Sequence, residues 1–337
     1  METILSIGDC IGADELTARI DLGKQIIAYN GFEPSGQMTF AQCMTAVINV
    51  NKITQQIPNC TFIFWVADVF AELNNKLGRD MRKIRKAGEL MIEIWKAAGM
   101  DMSKVKFLWA SDEINKNPTK YYKLVNDISS SFTISRIKRC IPALGRESSD
   151  ELTLSTLNYA VMQCADIFYL NVDICQMGND QLKINMLARE FCDKTKYKKP
   201  IIVSHKILGG LDGKDKMSKS NPDTAIFMTD SVSDINRKIK RAWCEEGNPT
   251  GSLFDICENI ILQLAPLTVK NTSGEFSTYT KINDLRSDFA AKIIHPGDLK
   301  PVIAARINEI IEPIRLHFTT GESAQLLKTV SKYKLTK

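Results

Sequence analysis

A short segment in the second half of the chain combines two amines with two hydroxyls. It consists of Lys216, Met217, Ser218, Lys219 and Ser220, and several glycines precede it. Glycine allows the backbone to move, and lysine and serine side chains are donors for phosphate oxygens. The segment therefore predicts a mobile loop that binds polyphosphate. A solvated basic loop is the alternative reading of the same composition.

Further polar side chains share one face of a predicted helix. Asp166 follows Tyr159 by seven residues and Gln163 by three, which is the spacing of neighbours on a helical face. A carboxylate, an amide and a phenol on one face can line one polar pocket. The alternative is an ordinary amphipathic helix that ends in a surface carboxylate.

The first predicted strand runs directly into a loop that suits a ligand. Residues 25–29 are mostly apolar, residues 30–36 contain Gly31, Pro34 and Gly36, and a helix is predicted from near Phe40. The two glycines would let the backbone approach a nucleotide closely, although a simple turn has the same composition.

Predicted strands and helices alternate through the first two thirds of the chain. The predicted strands are residues 25–29, 61–66, 105–109 and 200–203. The predicted helices between them are residues 81–98, 118–139, 153–168 and 183–191. This order is typical of an α/β, Rossmann-like fold, whose parallel sheet binds ligands beyond the carboxyl ends of its strands.

The pattern also predicts where the domains begin and end. We expect a catalytic domain over residues 1–226, with a helical insertion at about residues 112–158, and an all-α C-terminal domain over residues 227–337. The helices predicted in that last domain are residues 233–243, 252–264, 283–294 and 299–318. The final dozen residues are expected to fray.

Composition excludes several classes of protein. The 337 residues are 44% hydrophobic, yet no apolar run approaches the roughly 20 residues that cross a bilayer, so we expect a cytoplasmic protein without membrane contact. Nine scattered cysteines indicate reduced thiols, and three distant histidines indicate neither a metal site nor a catalytic triad. The net charge of +5 comes with clustered basic residues, which favours a polyanionic partner such as nucleic acid.

Three separated motifs together resemble the tyrosyl-tRNA synthetases of the archaeal and eukaryotic type. They are residues 29–36, the helical set with Asp166, and residues 173–181 followed by the lysine loop, which is identical to the KMSKS signature of class I aminoacyl-tRNA synthetases. The resemblance covers most of the chain. It implies a tyrosine-tRNA ligase that converts L-tyrosine and ATP, accompanied by Mg²⁺, into tyrosyl-adenylate. The tyrosyl group then passes to the 3'-terminal ribose of tRNA(Tyr) for protein synthesis.

The resemblance also implies roles for individual residues. It assigns tyrosine binding to Tyr29, Glu33, Asp68, Tyr159, Gln163, Asp166 and Gln181. It assigns ATP binding to Gly31, Gly36, Ala41, Met217 and Ser220, and catalysis to Lys216, Ser218, Lys219, Thr39 and Gln42. Tyr29 and Asp166 would bind the phenol, and Asp173 would shape the pocket from behind. An N-cap of the following helix is the alternative role for Asp68.

One motif departs from the family pattern. Where class I enzymes carry the HIGH signature, this chain reads Thr39-Phe40-Ala41-Gln42, so both histidines are absent. Thr39 and Gln42 can each still donate a hydrogen bond to phosphate, and Ala41 keeps a small residue beside the nucleotide. The departure leaves open a catalytically weak relative that only binds tRNA.

By resemblance, the C-terminal domain binds the anticodon. Asp298 would contact a base edge, unless it is an N-cap, and Phe276 would stack on a base. Arg136, Lys138 and Arg139 would contact the acceptor stem from the insertion, which also implies a homodimer. Two further alternatives are a tryptophanyl-tRNA synthetase, which the polar ends of Tyr29 and Asp166 disfavour, and another adenylate-forming nucleotidyltransferase.

Overall fold

The computed structural model of the chain describes residues 1–144, 152–213 and 222–334. The five residues of the predicted phosphate-binding loop, Lys216 to Ser220, lie outside the described residues. The strands are β1 (Asp9–Ile11), β2 (Ile26–Phe32), β3 (Cys60–Val66), β4 (Val105–Trp109), β5 (Ile174–Gly178), β6 (Ile201–His205), β7 (Leu267–Lys270) and β8 (Phe276–Tyr279).

Helices connect these strands and make up most of the C-terminal third. The α-helices are α1 (Glu2–Leu5), α2 (Ala13–Asp21), α3 (Phe40–Gln56), α4 (Asp68–Leu73), α5 (Met81–Ala97), α6 (Ala110–Lys116), α7 (Pro118–Ser131), α8 (Ile134–Lys138), α9 (Leu154–Tyr169), α10 (Leu182–Asp193), α11 (Val232–Arg241), α12 (Ser252–Ile256), α13 (Leu262–Leu264), α14 (Ile282–Ala290), α15 (Pro296–His317) and α16 (Gly321–Val330). Short 3₁₀ turns occupy Lys76–Arg79, Met102–Lys104, Ile141–Leu144, Asn179–Gln181 and Pro222–Thr224, and a π-helical turn occupies Cys257–Ile261.

The main sheet has six strands in the order β1-β6-β5-β2-β3-β4. Strands β2 to β6 are mutually parallel, and β1 is an antiparallel edge strand on β6. From β2 the chain builds first toward β4 and then returns to add β5 on the other side. The boundary between β2 and β5 is therefore the switch point at which a sheet of this kind binds ligands.

The residues of β3 explain how the sheet is buried on both faces. Phe62, Phe64 and Val66 point into one apolar cluster, which also contains residues of α3 and α5. Trp65 points into a second cluster on the opposite face, with residues of α7 and α9. Successive side chains of a strand alternate between faces, so an unbroken apolar run such as β3 suits a sheet that is covered by helices on both sides.

The C-terminal helices extend the first of these clusters. Ile303, Ile307 and Ile311 of α15 are buried in the same cluster as Ile84 and Trp95 of α5. The helical nature of this region is confirmed. The domain boundary at residue 226 stays a prediction, since the buried cluster is continuous across it.

The prediction of an all-α C-terminal domain was wrong in one respect. Strands β7 and β8 form an antiparallel hairpin in which Leu267 pairs with Tyr279. The hydroxyls of Thr268 and Thr278 lie 2.9 Å apart across the hairpin. Buried Leu267 and Val269 alternate with exposed residues, so a period of two was present in the sequence but was too short to stand out from the helices around it.

The helix predicted over residues 118–139 is broken into α7 and α8. The hydroxyls of Ser129, Ser130 and Ser131 bond to carbonyls four residues earlier, which competes with continuation of the helix. Thr133 then caps α8 by accepting a hydrogen bond from the amide of Arg136 at 3.2 Å. Besides β7 and β8, the elements that the sequence analysis did not predict are α1, α2, α4, α6, α16, β1 and β5.

Candidate active site

A cavity of about 690 Å³ opens at the carboxyl edge of the parallel strands, across the switch point. It is lined by ends of β2, β3, β5 and β6 and by residues of α3 and α9. Ten of the predicted site residues line it, namely Tyr29, Gly31, Glu33, Thr39, Ala41, Gln42, Tyr159, Gln163, Asp166 and Gln181. The structure thus brings together residues that are up to 152 positions apart in the sequence, from Tyr29 to Gln181.

Asp166 is the most deeply buried acid of the cavity, with 1% of its surface exposed. Its Oδ1 accepts a hydrogen bond of 2.8 Å from the hydroxyl of Tyr121, whereas Oδ2 has no hydrogen-bonding partner among the described residues. Burial raises the pKa of this carboxyl well above its ordinary range. The hydrogen bond from Tyr121 opposes that rise most strongly, and the nearby N–H group of Trp65 opposes it less. Trp65 Nε1 itself forms no hydrogen bond with the described residues. Asp166 lines the cavity, and a buried acceptor without a partner on such a residue can bind a hydroxyl donor.

Tyr29 presents a second buried oxygen on the same wall. Burial raises the pKa of its phenol well above the ordinary value, and the negative charge of Asp166 adds to the rise. Tyr29 therefore keeps its proton at neutral pH and can act as a donor. A Cβ atom at Gly31 would lie 3.2 Å from the Tyr29 hydroxyl, so glycine at this position leaves room beside the phenol.

A charged corner of the cavity is built around Glu33. The carboxylate accepts a hydrogen bond of 2.6 Å from the hydroxyl of Tyr159, and the amide of Asn74 lies 3.2 and 3.3 Å from its two oxygens. Burial, followed by the negative charge of Glu33, raises the pKa of Tyr159 well above its ordinary value. The sequence analysis did not predict Asn74.

Two amides join helix α9 to the end of β5. Gln163 Nε2 donates to Gln181 Oε1 at 3.0 Å, and Gln181 Nε2 donates to the carbonyl of Ala143 at 2.8 Å. This chain of bonds fixes both amides so that their remaining acceptor positions lie beside the cavity they line. A carboxylate and two amide oxygens are suitable acceptors for an ammonium group.

The other end of the cavity is the beginning of α3. Thr39 is the N-cap, and its hydroxyl oxygen accepts a hydrogen bond of 3.2 Å from the amide of Gln42. The first turn of this 17-residue helix contains no acidic residue. The dipole of this helix favours an anion at its beginning, and the hydroxyl hydrogen of Thr39 remains available for donation.

His205, the last residue of β6, also lines the cavity and was not predicted. Its Nδ1 lies 2.8 Å from the side-chain nitrogen of Gln176. Burial lowers the pKa of His205 to about 4, so the ring is neutral at pH 7. With Gln176 as donor to Nδ1, the proton of the neutral ring is on Nε2, which can then donate to a ligand. The position of this histidine at a strand end was the signal that the sequence offered.

Three of the expected site residues lie elsewhere. Gly36 is buried with a φ of 118°, which favours glycine, and it is not among the lining residues of the cavity. Asp68 is the first residue of α4, and its carboxylate accepts hydrogen bonds from the backbone amide and hydroxyl of Ser111, at 2.9 and 2.6 Å. The N-cap alternative was wrong, because Ala67 is the N-cap of α4 and Trp109 is the N-cap of α6.

Asp173 was placed behind the pocket and instead lies at the opposite edge of the sheet. It precedes β5, where its carboxylate accepts from the amide of Ile27 at 2.9 Å and contacts Arg19 and Lys198. Because it marks the amino end of its strand, it stabilises the junction of β2 and β5 and does not reach the cavity.

Comparison with known proteins decides the family. A family model described as tRNA synthetases class I (W and Y) matches residues 22–312. The chain is 46% identical to "Tyrosine--tRNA ligase 1, cytoplasmic" of Arabidopsis thaliana over 345 residues, which cover 99% of this chain and 88% of the relative. The chain belongs to the tyrosyl-tRNA synthetases.

Solved structures agree with this membership. Tyrosyl-tRNA synthetase of Leishmania major in complex with tyrosinol has a TM-score of 0.93 and 40% identity, and the match covers 99% of this chain. This chain spans only about half of that one, 52% of its length. Tyrosyl-tRNA synthetase of Pyrococcus horikoshii complexed with L-tyrosine has a TM-score of 0.88 and 30% identity, covering 97% and 99% of the two chains.

The residues that a tyrosyl-tRNA synthetase would offer to tRNA are spread outside the cavity. Lys138 and Arg139 are exposed next to α9, whereas both ends of the Arg136 guanidinium contact Glu190 at 2.8 Å. Phe276 is 74% exposed at the start of β8. Asp298 is not an N-cap, because His295 caps α15 by accepting from the amide of Gly297 at 2.9 Å.

A second cavity, of about 840 Å³, lies between α11 and α15, near Asp298. Within the described ranges, no cluster of His, Cys, Asp and Glu side chains could hold a metal ion. No helix in the described part of the chain is long and apolar enough to cross a membrane.

Proposed function

We propose that the cavity at the switch point is where this chain carries out the activity of its family, the attachment of tyrosine to tRNA. One observation supports the assignment most strongly. The buried carboxylate of Asp166 has one oxygen in a hydrogen bond and one oxygen free beside the cavity. The phenol hydroxyl of tyrosine would donate to that free oxygen and accept from Tyr29. Phenylalanine would leave both buried groups unpaired, which costs binding energy.

The other end of the tyrosine molecule needs acceptors for its ammonium group. Glu33, with its negative charge and its bonds to Tyr159 and Asn74, supplies the electrostatic attraction. The oxygen atoms of Gln163 and Gln181 supply further acceptors on the same wall. These groups position the tyrosine carboxylate without contributing a general base, because the carboxylate is already a nucleophile.

ATP, with its Mg²⁺, binds toward the beginning of α3. This end of the helix suits polyphosphate for three reasons. The helix dipole has its positive end there, the hydroxyl of Thr39 can donate a hydrogen bond, and the small side chain of Ala41 leaves room. Gln42 and the Nε2 proton of neutral His205 are additional donors on the cavity wall. Lys216 and Lys219 would contribute the positive charge that balances the departing pyrophosphate.

The reaction proceeds in two steps, formation of tyrosyl-adenylate and transfer of the tyrosyl group to tRNA. A carboxylate oxygen of tyrosine attacks the α-phosphorus of ATP, a new P–O bond forms, and the bond to pyrophosphate breaks. A terminal ribose hydroxyl of tRNA then attacks the carbonyl carbon, AMP leaves, and the hydroxyl proton is lost to solvent or phosphate. Positioning and charge stabilisation supply most of the catalysis in chemistry of this type.

The remaining assignments concern partners. Asp298 and Phe276 contact the anticodon, and Lys138 and Arg139 contact the acceptor stem, because they combine exposure with charge or an aromatic face. Arg136 supports this surface indirectly through its ion pair with Glu190. We also propose that two copies associate through the insertion between β4 and β5, and that the protein acts in the cytoplasm.

The test is ATP–pyrophosphate exchange without tRNA, measured with tyrosine, phenylalanine and tryptophan in separate reactions. We expect efficient exchange with tyrosine, and exchange with phenylalanine or tryptophan that is lower by orders of magnitude. Efficient exchange with tryptophan would reassign the substrate, and no exchange in a folded protein would favour a relative that only binds tRNA.

A further inference from the structure

Tyr121 of α7 is the only described side chain that forms a hydrogen bond with Asp166. Its ring is completely buried, and its hydroxyl lies 2.8 Å from Asp166 Oδ1 and 3.4 Å from the carbonyl of Met162. Tyr121 is not among the residues that line the cavity. It therefore contacts the acid from behind, on the side away from a bound amino acid.

We propose that Tyr121 is a positioning residue for amino-acid selection, which turns Asp166 so that only Oδ2 faces the substrate and keeps that oxygen an acceptor. This inference rests on the proposed function of the cavity. A carboxylate that is free to rotate, or that carries a proton on Oδ2, would bind the phenol less selectively. The hydrogen bond from Tyr121 to Oδ1 prevents rotation of the carboxyl group, and it also favours the form in which Oδ2 carries no proton.

The surroundings of Asp166 make this donor important. None of the salt bridges between described residues includes Asp166, so no cation offsets its burial. The titratable groups that interact with it are Tyr29 on β2, Tyr121 on α7, and Tyr159 and Cys164 on α9, and all four are neutral acids at pH 7. The hydrogen bond from Tyr121 is the largest of the effects that lower the pKa of Asp166 against burial.

The packing of Tyr121 explains why its hydroxyl can hold one direction. Tyr169 meets its ring edge-on at 5.3 Å between centroids, and Tyr122 does so at 5.8 Å. Phenylalanine at this position would retain the same ring contacts and lose only the oxygen. The substitution Tyr121→Phe therefore isolates the hydrogen bond from the packing of α7 against α9.

The experiment measures kcat/KM for tyrosine and for phenylalanine in the exchange reaction, across pH, for Tyr121→Phe. The matched control is Tyr122→Phe, which removes a hydroxyl from the neighbouring residue of the same helix, 54% exposed and outside the cavity. For Tyr121→Phe we expect kcat/KM for tyrosine to fall roughly 10- to 100-fold, as for a buried acceptor that loses its hydrogen-bond donor, with little change for phenylalanine.

The pH profile separates this role from a purely structural one. Without the Tyr121 donor the pKa of Asp166 rises further, so the acidic limb for tyrosine should move to higher pH. Tyr122→Phe should leave that limb where it is. A Tyr121→Phe enzyme with an unchanged limb and unchanged preference, or with equal losses for both amino acids, would overturn the proposal.

A double-substitution cycle with Asp166→Asn closes the test. If Tyr121 acts through Asp166, Tyr121→Phe should not reduce the tyrosine preference further once Asp166→Asn is present, whereas additive losses would contradict the proposal. The cycle also separates the two levels of inference. If Asp166→Asn alone leaves the preference intact, the proposed function of the cavity fails. If it lowers the preference while Tyr121→Phe does not, only the role of Tyr121 fails.

Discussion

At the scale of single residues, the site depends on which atoms of each side chain have partners. The spacing of Tyr159, Gln163 and Asp166 predicted a shared helical face, and the cavity has all three on its wall. No sequence pattern could predict that Asp166 has one free oxygen, because that depends on Tyr121, 45 residues away. Tyr121 sits in an apolar pattern with Leu124 and Ile128, so from the sequence it looks like an ordinary core residue.

Thr39 tests whether a hydroxyl can serve where the family's HIGH signature has histidine. Thr39→Val keeps the volume but removes both the cap on α3 and the donor to phosphate. We expect a loss of about 1 kcal/mol in the free energy of unfolding and a 10- to 100-fold lower rate of pyrophosphate exchange. Thr39→Ser retains the hydroxyl and should stay near wild type in both measurements. A Thr39→Val enzyme of normal rate would show that the hydroxyl takes no part in catalysis.

His205 predicts a particular dependence of stability on pH. Its pKa is lowered to about 4 in the fold, against an ordinary value of about 6.5 in the unfolded chain. The unfolded state therefore binds a proton first, so the contribution of His205 to stability is complete above about pH 6.5 and is lost as pH falls toward 4.

The measurement is chemical unfolding at pH 7 and pH 4.5 for the wild type and for His205→Gln. We expect the variant to lose less stability than the wild type over this interval, by as much as about 2 kcal/mol. Equal losses in the two proteins would mean that His205 is not buried in its neutral form.

At the scale of elements, the sheet and its helices were predictable because their periodicities are long. Strand β4 has the predicted bounds, residues 105–109, and β3 and α5 each lie within one residue of their predictions. The elements that were not predicted are mostly short, such as β1 with Asp9–Ile11, and are fixed by partners distant in sequence. Asp68 and Asp173 were misjudged for a related reason, since their bonds are to residues on other elements.

The close contact between α5 and the loop that follows β2, which contains Glu33 and Pro34, gives a prediction at this scale. A Cβ atom at Gly88 would lie 2.6 Å from the ring of Trp109 and 3.2 Å from Pro34. Gly88→Ala should therefore lower the free energy of unfolding by about 1–3 kcal/mol despite the better helix propensity of alanine. Because Pro34 follows Glu33, the KM for tyrosine should also rise.

The control is Arg82→Ala on the same helix, where the side chain is 96% exposed. Thermal unfolding and exchange kinetics of the two variants give the comparison. A Gly88→Ala protein that is as stable as the wild type would mean that α5 can move away from Trp109 without affecting the site.

At the scale of the whole molecule, the helices of the C-terminal third share one buried cluster with helices of the sheet domain. Side chains of α15 lie in the same cluster as those of α5. Near this contact, His317 Nε2 lies 3.1 Å from Glu93 Oε2. The sequence predicted a helical C-terminal region but could not predict this sharing, because it arises from contacts between residues more than 200 positions apart.

Shared burial predicts cooperative unfolding. Ile307→Ala, a fully buried change in α15, should cost about 2–5 kcal/mol and shift one common transition. The test is to follow thermal unfolding by calorimetry and, in parallel, to follow the loss of bound tyrosine. The two transitions should coincide. Glu309→Ala, at the exposed surface of the same helix, is the control. A low-temperature transition that leaves tyrosine binding intact would show that the C-terminal helices unfold independently.

The central claim is that the free oxygen of Asp166 selects tyrosine, and Asp166→Asn tests it most directly. The measurement is kcat/KM for tyrosine and for phenylalanine in pyrophosphate exchange, with folding checked by circular dichroism. We predict that the ratio of the two values falls by roughly 10-fold or more, almost entirely through tyrosine, because the carboxyl oxygen that accepts from the phenol is replaced by an amide. An unchanged ratio in the folded variant would contradict the account.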